Sequence, residues 1–253
     1  MPASMRDRPG RWRHGEGSVT IAGMRIQSLF SWLVAAAWCL IGAPGAQAAC
    51  TDVPAASVDW SGCEKHRLIL RKVNLQGARL VGADLNGTDL EAANLAGADL
   101  SRASLDRVRL TGADLSRAVM VQLSAYRSNF SKSRLIGADL TKAELARSNF
   151  ASADFSGANL SKAEFQRASL EGAVLLRANL TGADLARAKL SGAKLANARM
   201  AQVRMFRTRV EGADLSATVG LTQVQVDSAC GDKQTILPKG IKTSSSWPCN
   251  KDE

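Results

Sequence analysis

Side chains able to do chemistry are few, and their spacing forms no catalytic grouping. The sequence holds two histidines, His14 and His66, and five cysteines, Cys39, Cys50, Cys63, Cys230 and Cys249. Beyond residue 49 a single histidine remains, so neither a Ser-His-Asp arrangement nor a histidine pair for a metal can be assembled. Cys63 and His66 have a C-x-x-H spacing, but two further ligands are missing nearby, and no metal centre is expected. A phosphate-binding loop and a glycine-rich dinucleotide turn are both missing from the sequence. Aspartates are plentiful but recur at one fixed place in a repeating pattern. Such carboxylates are expected on a convex surface, with no cleft to tune a pair for acid–base work. The prediction is a chain with no catalytic residue and no cofactor.

The outward cations point instead to anion binding. Arg107, Arg127, Arg147, Arg167, Arg187 and Arg207 recur every 20 residues. Tyr126 and Phe206 each stand one residue before a member of that series, where they are expected as exposed aromatics. Glu144, Glu164 and Asp184 precede Arg147, Arg167 and Arg187 by three residues, so a self-neutralised surface network is the competing reading. Exposed pairs of that kind contribute about 0–1 kcal/mol each. A second cationic series, Lys189, Lys194, Arg199, Arg204 and Arg209, recurs every five residues, and no acid lies between Asp184 and Glu211. This collar is the better sequence-based candidate for contact with a polyanion.

The element that positions these residues follows from the apolar pattern. Every fifth residue from Leu75 to Leu215 is apolar: 20 Leu, four Phe, three Met, one Val and one Ala over 29 positions. Two residues earlier in each unit, from Val73 to Ala213, 20 of 29 are Ala. A stripe of period five fits neither a helix at 3.6 nor a strand at 2, and on a helix it would spiral around the axis. A chain that turns a corner every five residues satisfies it, with four sides per 20-residue coil and coils stacked at ~4.8 Å. The Arg series then becomes a ladder of five steps, or ~24 Å. In the unit Leu123-Ser124-Ala125 the large and small residues are exchanged, which reads as compensated packing.

The units read Ala-(Asp/Asn)-Leu-polar-(Gly or polar), undiluted in GADL at 82–85 and in TGADLARAKL at 181–190. Over residues 73–217 the sequence resembles the pentapeptide-repeat family. That resemblance implies an all-β fold, a right-handed quadrilateral β-helix of about seven coils with small caps at both ends. The flanks VDWSGC at 58–63 and GLTQVQVDSACGD at 220–232 are similar to those of exported Gram-negative members. Some cytosolic members mimic duplex DNA and bind type II topoisomerases, which needs an acidic surface. Here residues 50–253 carry 28 Lys and Arg against 21 Asp and Glu, or +7.

From Met24 the chain reads as a secretory leader: Arg25, an apolar run over 29–41, Gly42, Pro44 and Gly45, then Ala46-Gln47-Ala48. The run is shorter than the roughly 20 residues a membrane span requires. The expected organisation is an over-extended N-terminus at 1–23, a signal peptide at 24–49, an N-terminal cap at 50–72, the coil at 73–217 and a C-terminal cap at 218–253. Lipid attachment at Cys50 is an alternative, disfavoured by Gln47 where such sites usually carry Leu. The four cysteines left after cleavage allow three pairings, and their positions at the two ends of the coil favour Cys50–Cys63 and Cys230–Cys249. Asp59 and Trp60 are expected to cover the start. At the other end, Thr222 should N-cap a short helix carrying Leu221, Val224 and Cys230, and the chain should return through Pro238, Trp247 and Pro248. The functional expectation is a monomeric binding scaffold of the periplasm or exterior, with an unknown and preferably anionic partner, nucleic acid disfavoured.

Overall fold

The computed structural model describes residues 50–249; the sequence-predicted extension and leader, residues 1–49, lie outside them. From residue 56 the backbone repeats one rhythm: two turn residues, then three extended residues of which the middle one is bridged. Within each side the strand alternation points the first and third extended residues inward and the second outward. This is why Ala and Leu, two apart, are buried while the Asp or Asn between them faces out. Leu80, Ala83, Leu85, Ala98 and Leu100 are all fully buried.

Bridged residues pair in parallel with residues 20 further on, from Asp59↔Arg79 to Arg199↔Val219. The pairing is a series of isolated bridges joined by turns, with no continuous strand in the described residues. Asp59 to Val219 covers 160 residues, or eight coil lengths. The rhythm therefore starts ahead of the Val73 boundary read from the sequence, and Asp59 and Trp60 belong to the first coil. Trp60 fills a Leu position and Val58 and Cys63 fill Ala positions, all buried. Lys65, standing where a Leu is expected, hides the frame: its ammonium lies 4.2 Å from the Trp60 ring centre and donates to the Cys50 carbonyl at 2.5 Å.

Two local devices shape the corners. The outward Asp or Asn accepts a hydrogen bond from the backbone two residues on, as in Asp84 Oδ1 from Asn86 N at 2.9 Å and Asp99 Oδ1 from Ser101 N at 3.0 Å. This Asx turn explains the preference at that position. The second turn residue takes a left-handed φ near +60°, filled by Gly at many corners and by Arg, Lys, Gln, Ser, Asn or Ala at the others.

Mid-coil, Phe130 stacks on Phe150 with centroids 4.7 Å apart, and Phe155 and Phe165 close around Phe150 at 5.3 and 5.5 Å. Leu123 and Ala125 are both fully buried, so the exchanged pair keeps two apolar side chains in the core.

The C-terminal cap continues the coil with inserted residues, since Arg209 bridges Cys230 and Asp214 bridges Ile236. Between Val219 and Cys230 lies α1, Gln223–Ser228, N-capped by Thr222 in a capping box with Gln225. Of the three residues expected on it, Leu221 and Cys230 lie outside the helix and Val224 is 78% exposed, while Gln225 and Val226 are its buried residues. The reason is hydrogen bonding: Gln225 Nε2 donates to the Val203 carbonyl (3.0 Å), an acceptor no backbone amide fills, and to the Met200 carbonyl (2.8 Å), which also accepts from the Val203 amide. Disulfides Cys50–Cys63 and Cys230–Cys249 tie the two ends. Trp247 donates from Nε1 to the Ala229 carbonyl at 2.7 Å and lies so close to Gly231 that a Cβ there would meet its ring at 2.4 Å.

Candidate anion-binding corner

The Arg series occupies one corner of the coil, at the left-handed turn position. Read along the axis, that position holds Arg67, Gly87, Arg107, Arg127, Arg147, Arg167, Arg187 and Arg207. The seven arginines have φ between 54° and 60°. Glycine enters this region without steric cost, whereas a side chain is strained there. Arginine in nearly every position is therefore not what the backbone alone would select.

Arg107, Arg127, Arg147, Arg167 and Arg187 are exposed. Among the described residues none of the five forms an ion pair. The expected pairing with Glu144, Glu164 and Asp184 does not occur, because those carboxylates sit on the flat side and the guanidiniums project from the corner. Asp184 instead pairs one coil onward with Arg204 at 3.2 Å. Tyr126 is half-buried and not fully exposed as expected, with Arg127 and Arg147 at 5.1 and 5.8 Å from its ring centre. Phe206 is 54% exposed, with Arg207 at 5.5 Å.

The collar is the more neutralised of the two cationic groups, the reverse of the sequence-based ranking. Lys189 lies 3.7 Å from Glu171, Arg204 is paired with Asp184, and Arg209 contacts Glu211 at 2.8 Å. Lys194 and Arg199 alone of the five form no ion pair among the described residues. Neighbours in sequence are only part of a coil residue's surroundings; acids a coil away are as close.

Sequence reasoning missed a set of buried hydroxyls behind this corner. Thr88, Ser128, Ser148 and Thr208 replace Ala and donate to the carbonyls of Lys65 (2.8 Å), Leu105 (2.5 Å), Ala125 and Leu185 (2.7 Å). Ser128 and Ser148 also accept from the Val108 and Ser128 amides at 3.0 and 2.8 Å. Each of these two hydroxyls is thus inserted into the turn of the preceding coil and bridges its two ends. The signal available in sequence was that these polar departures from Ala fall at multiples of 20.

Residues 56–87, 83–122, 128–166, 163–202 and 183–219 match the family model for pentapeptide repeats, in eight copies. The chain is a pentapeptide-repeat protein. Among solved structures it is similar to the fluoroquinolone resistance protein QnrB1, at 17% identity and TM-score 0.51, covering 70% of this chain and 89% of that one. It is also similar to HetL, involved in heterocyst differentiation regulation in the cyanobacterium Nostoc sp. strain PCC 7120, at 26% identity and TM-score 0.42, covering 71% and 86%. The QnrB1 likeness supports the fold alone. Among curated proteins none matches this chain. Within the described part of this pentapeptide-repeat protein, no cluster of three or more His, Cys, Asp or Glu is placed to hold a metal, and no helix is long and apolar enough to cross a membrane.

Proposed function

We propose that this chain is an exported, non-enzymatic scaffold whose arginine corner binds an anionic partner of the cell envelope or exterior. The right-handed, four-sided coil of its family supplies the frame. The observation that carries the reading is arginine at seven of eight left-handed positions in one column, five of them exposed and without an ion pair. Those charges stand one coil step apart, ~4.8 Å, on a backbone that cannot spread them. A line of anionic groups on a polymer or a surface would relieve their mutual repulsion. The leader at 24–49 and the two disulfides support an oxidising address outside the cytosol. The net charge of +7 over residues 50–253 runs against duplex-DNA mimicry.

The test is retention on immobilised dextran sulfate against a salt gradient. Arg167→Glu with Arg187→Glu should elute at much lower salt than the parent, while Lys194→Glu with Arg199→Glu should change it far less. Equal retention of parent and ladder variant would overturn the proposal. Export is tested by the intact mass of the native protein: a chain starting at Ala49 or Cys50, with thiols open to alkylation only after reduction, is expected. An unprocessed chain with free thiols would refute export.

A further inference from the structure

The ladder has one gap, Gly87, and the surface is concave there. A depression of about 540 Å³ opens at this corner, lined by His66, Arg67, Asp84, Asn86, Asp106, Arg107 and Tyr126. The sequence-based expectation of repeat aspartates on a surface without a cleft fails at Asp84. We infer that this notch binds a single uronic-acid sugar unit, sharing Arg67 and Arg107 with the ladder but resting on the side chains around its gap.

The lining is built rather than accidental. Ser104 and Ser124 stand at the position where many units carry Asp or Asn, so the amides of Asp106 and Tyr126 have no Asx partner two residues before them. Asn86 Oδ1 takes over for Asp106 N at 2.7 Å and also accepts from Ser104 Oγ at 2.8 Å. Asp106 Oδ1 does the same for Tyr126 N at 2.8 Å and Ser124 Oγ at 2.9 Å. Each side chain is thereby fixed through one atom. The other atom, Asn86 Nδ2 or Asp106 Oδ2, has no hydrogen-bond partner among the described residues. The corner turns are held from behind as well, because Thr88, Ser128 and Ser148 hydrogen-bond into the turns carrying His66-Arg67, Asp106-Arg107 and Tyr126-Arg127. At the Gly87 turn the corresponding residue is Val108, which has no hydroxyl.

The chemistry of the lining selects the ligand. Arg67 and Arg107 flank the gap one coil on either side and form no ion pair among the described residues, so two guanidiniums are available to one carboxylate. Asn86 Nδ2 can donate and Asp106 Oδ2 can accept, a donor and an acceptor one coil apart that suit the hydroxyls of a sugar. The Asp84 carboxylate, 3.6 Å from His66 Nδ1, adds a second acceptor. Tyr126 supplies a half-buried ring face for the sugar's C–H surface. A bare anion would leave the two carboxylates unused, and a neutral sugar would leave the two guanidiniums unused.

Gly87→Arg is the decisive variant. Arginine already fills seven equivalent positions at the same backbone φ, so the change completes the ladder and closes the notch. The probe is glucuronate, followed by NMR titration, with glucose and inorganic phosphate as controls. Saturable glucuronate binding, at least tenfold tighter than either control, lost in Gly87→Arg and weakened severalfold in Tyr126→Leu, is expected. No binding to the parent chain, equal binding of a control, or full binding by Gly87→Arg would each overturn the inference. Dextran sulfate retention is read on the same variant: Gly87→Arg should keep or raise it, so loss of the notch and failure of the ladder are told apart.

Discussion

Replacing ladder arginines by glycine should strengthen the fold and weaken binding at once. Arg167 and Arg187 both have φ of 59° and neither lies over an aromatic ring nor forms an ion pair among the described residues. A left-handed conformation costs a side chain roughly 1–2 kcal/mol, which glycine escapes. Glycine's larger unfolded-state entropy returns about 0.5–1 kcal/mol of that. The double variant also removes three adjacent Arg–Arg contacts, 147–167, 167–187 and 187–207. At ~4.8 Å in water each repulsion would be about 0.9 kcal/mol. Diverging side chains and a screening length of ~8 Å reduce it to tenths. The stems lean along the column, as Lys162 does over Gly182 at 3.5 Å, and their lost packing takes back part of the gain. The net expectation for Arg167→Gly with Arg187→Gly is stabilisation of about 1–2 kcal/mol, read by urea unfolding. Dextran sulfate affinity should fall roughly fivefold to thirtyfold, as two exposed charge contacts of up to about 1 kcal/mol each are lost. Destabilisation by more than about 1 kcal/mol would show that the arginines serve the coil and would refute the reasoning.

Three further outcomes follow from the geometry. Phe150→Ala removes a fully buried ring that touches three others, and should cost about 3–5 kcal/mol and split urea unfolding into separable transitions on either side of the lesion. Gln225→Ala leaves the Val203 carbonyl without a donor and the Met200 carbonyl with only the Val203 amide, and should cost about 1–3 kcal/mol, seen first as faster amide exchange in the last coil. The Gly212 amide, together with the Thr235 hydroxyl and the Gln234 and Thr235 amides, holds the Asp232 carboxyl below the ordinary carboxylate range. A lowered folded value means that its stabilisation is complete above the unfolded value of about 3.9 and is lost as pH falls through the folded one. Exchange at Gly212, corrected for intrinsic rates, should accelerate below about pH 4 in the parent and be nearly pH-independent in Asp232→Asn.

The sequence made the coil legible because each core position is an independent vote for one period. Lys65 and the buried Trp60 obscured the first coil, since a cation at a Leu position breaks the pattern while its stem still packs inward. The outer surface was harder to read because its contacts run between coils. Arg204 finds Asp184 and Lys189 finds Glu171, 20 and 18 residues away, so scanning for acids within one coil ranked the collar above the ladder. The role of Gln225 was not legible for a related reason: its buried side chain supplies a donor to the Val203 carbonyl, an acceptor that only the folded coil end defines. Beyond their spacing, Ser128 and Ser148 give no sign of their role in sequence, because their hydroxyls act inside the turns of the neighbouring coil.

A regular coil separates the selection of core from that of surface more completely than most folds. The inward Ala and Leu and the outward Asp or Asn account for closure, stacking and corner geometry, and the second turn residue is asked only to be left-handed. At that position the other three columns frequently take Gly, with seven at residues 62, 77, 82, 97, 112, 137 and 157 alone. The fourth column takes arginine seven times and glycine once. Its pattern therefore opposes the local backbone preference and the mutual repulsion of like charges, two costs that no ion pair or aromatic contact among the described residues repays at Arg167 or Arg187. Departures from the repeat that cost stability carry information about binding. The single glycine carries as much as the arginines around it, because it alone interrupts the charge and opens the surface.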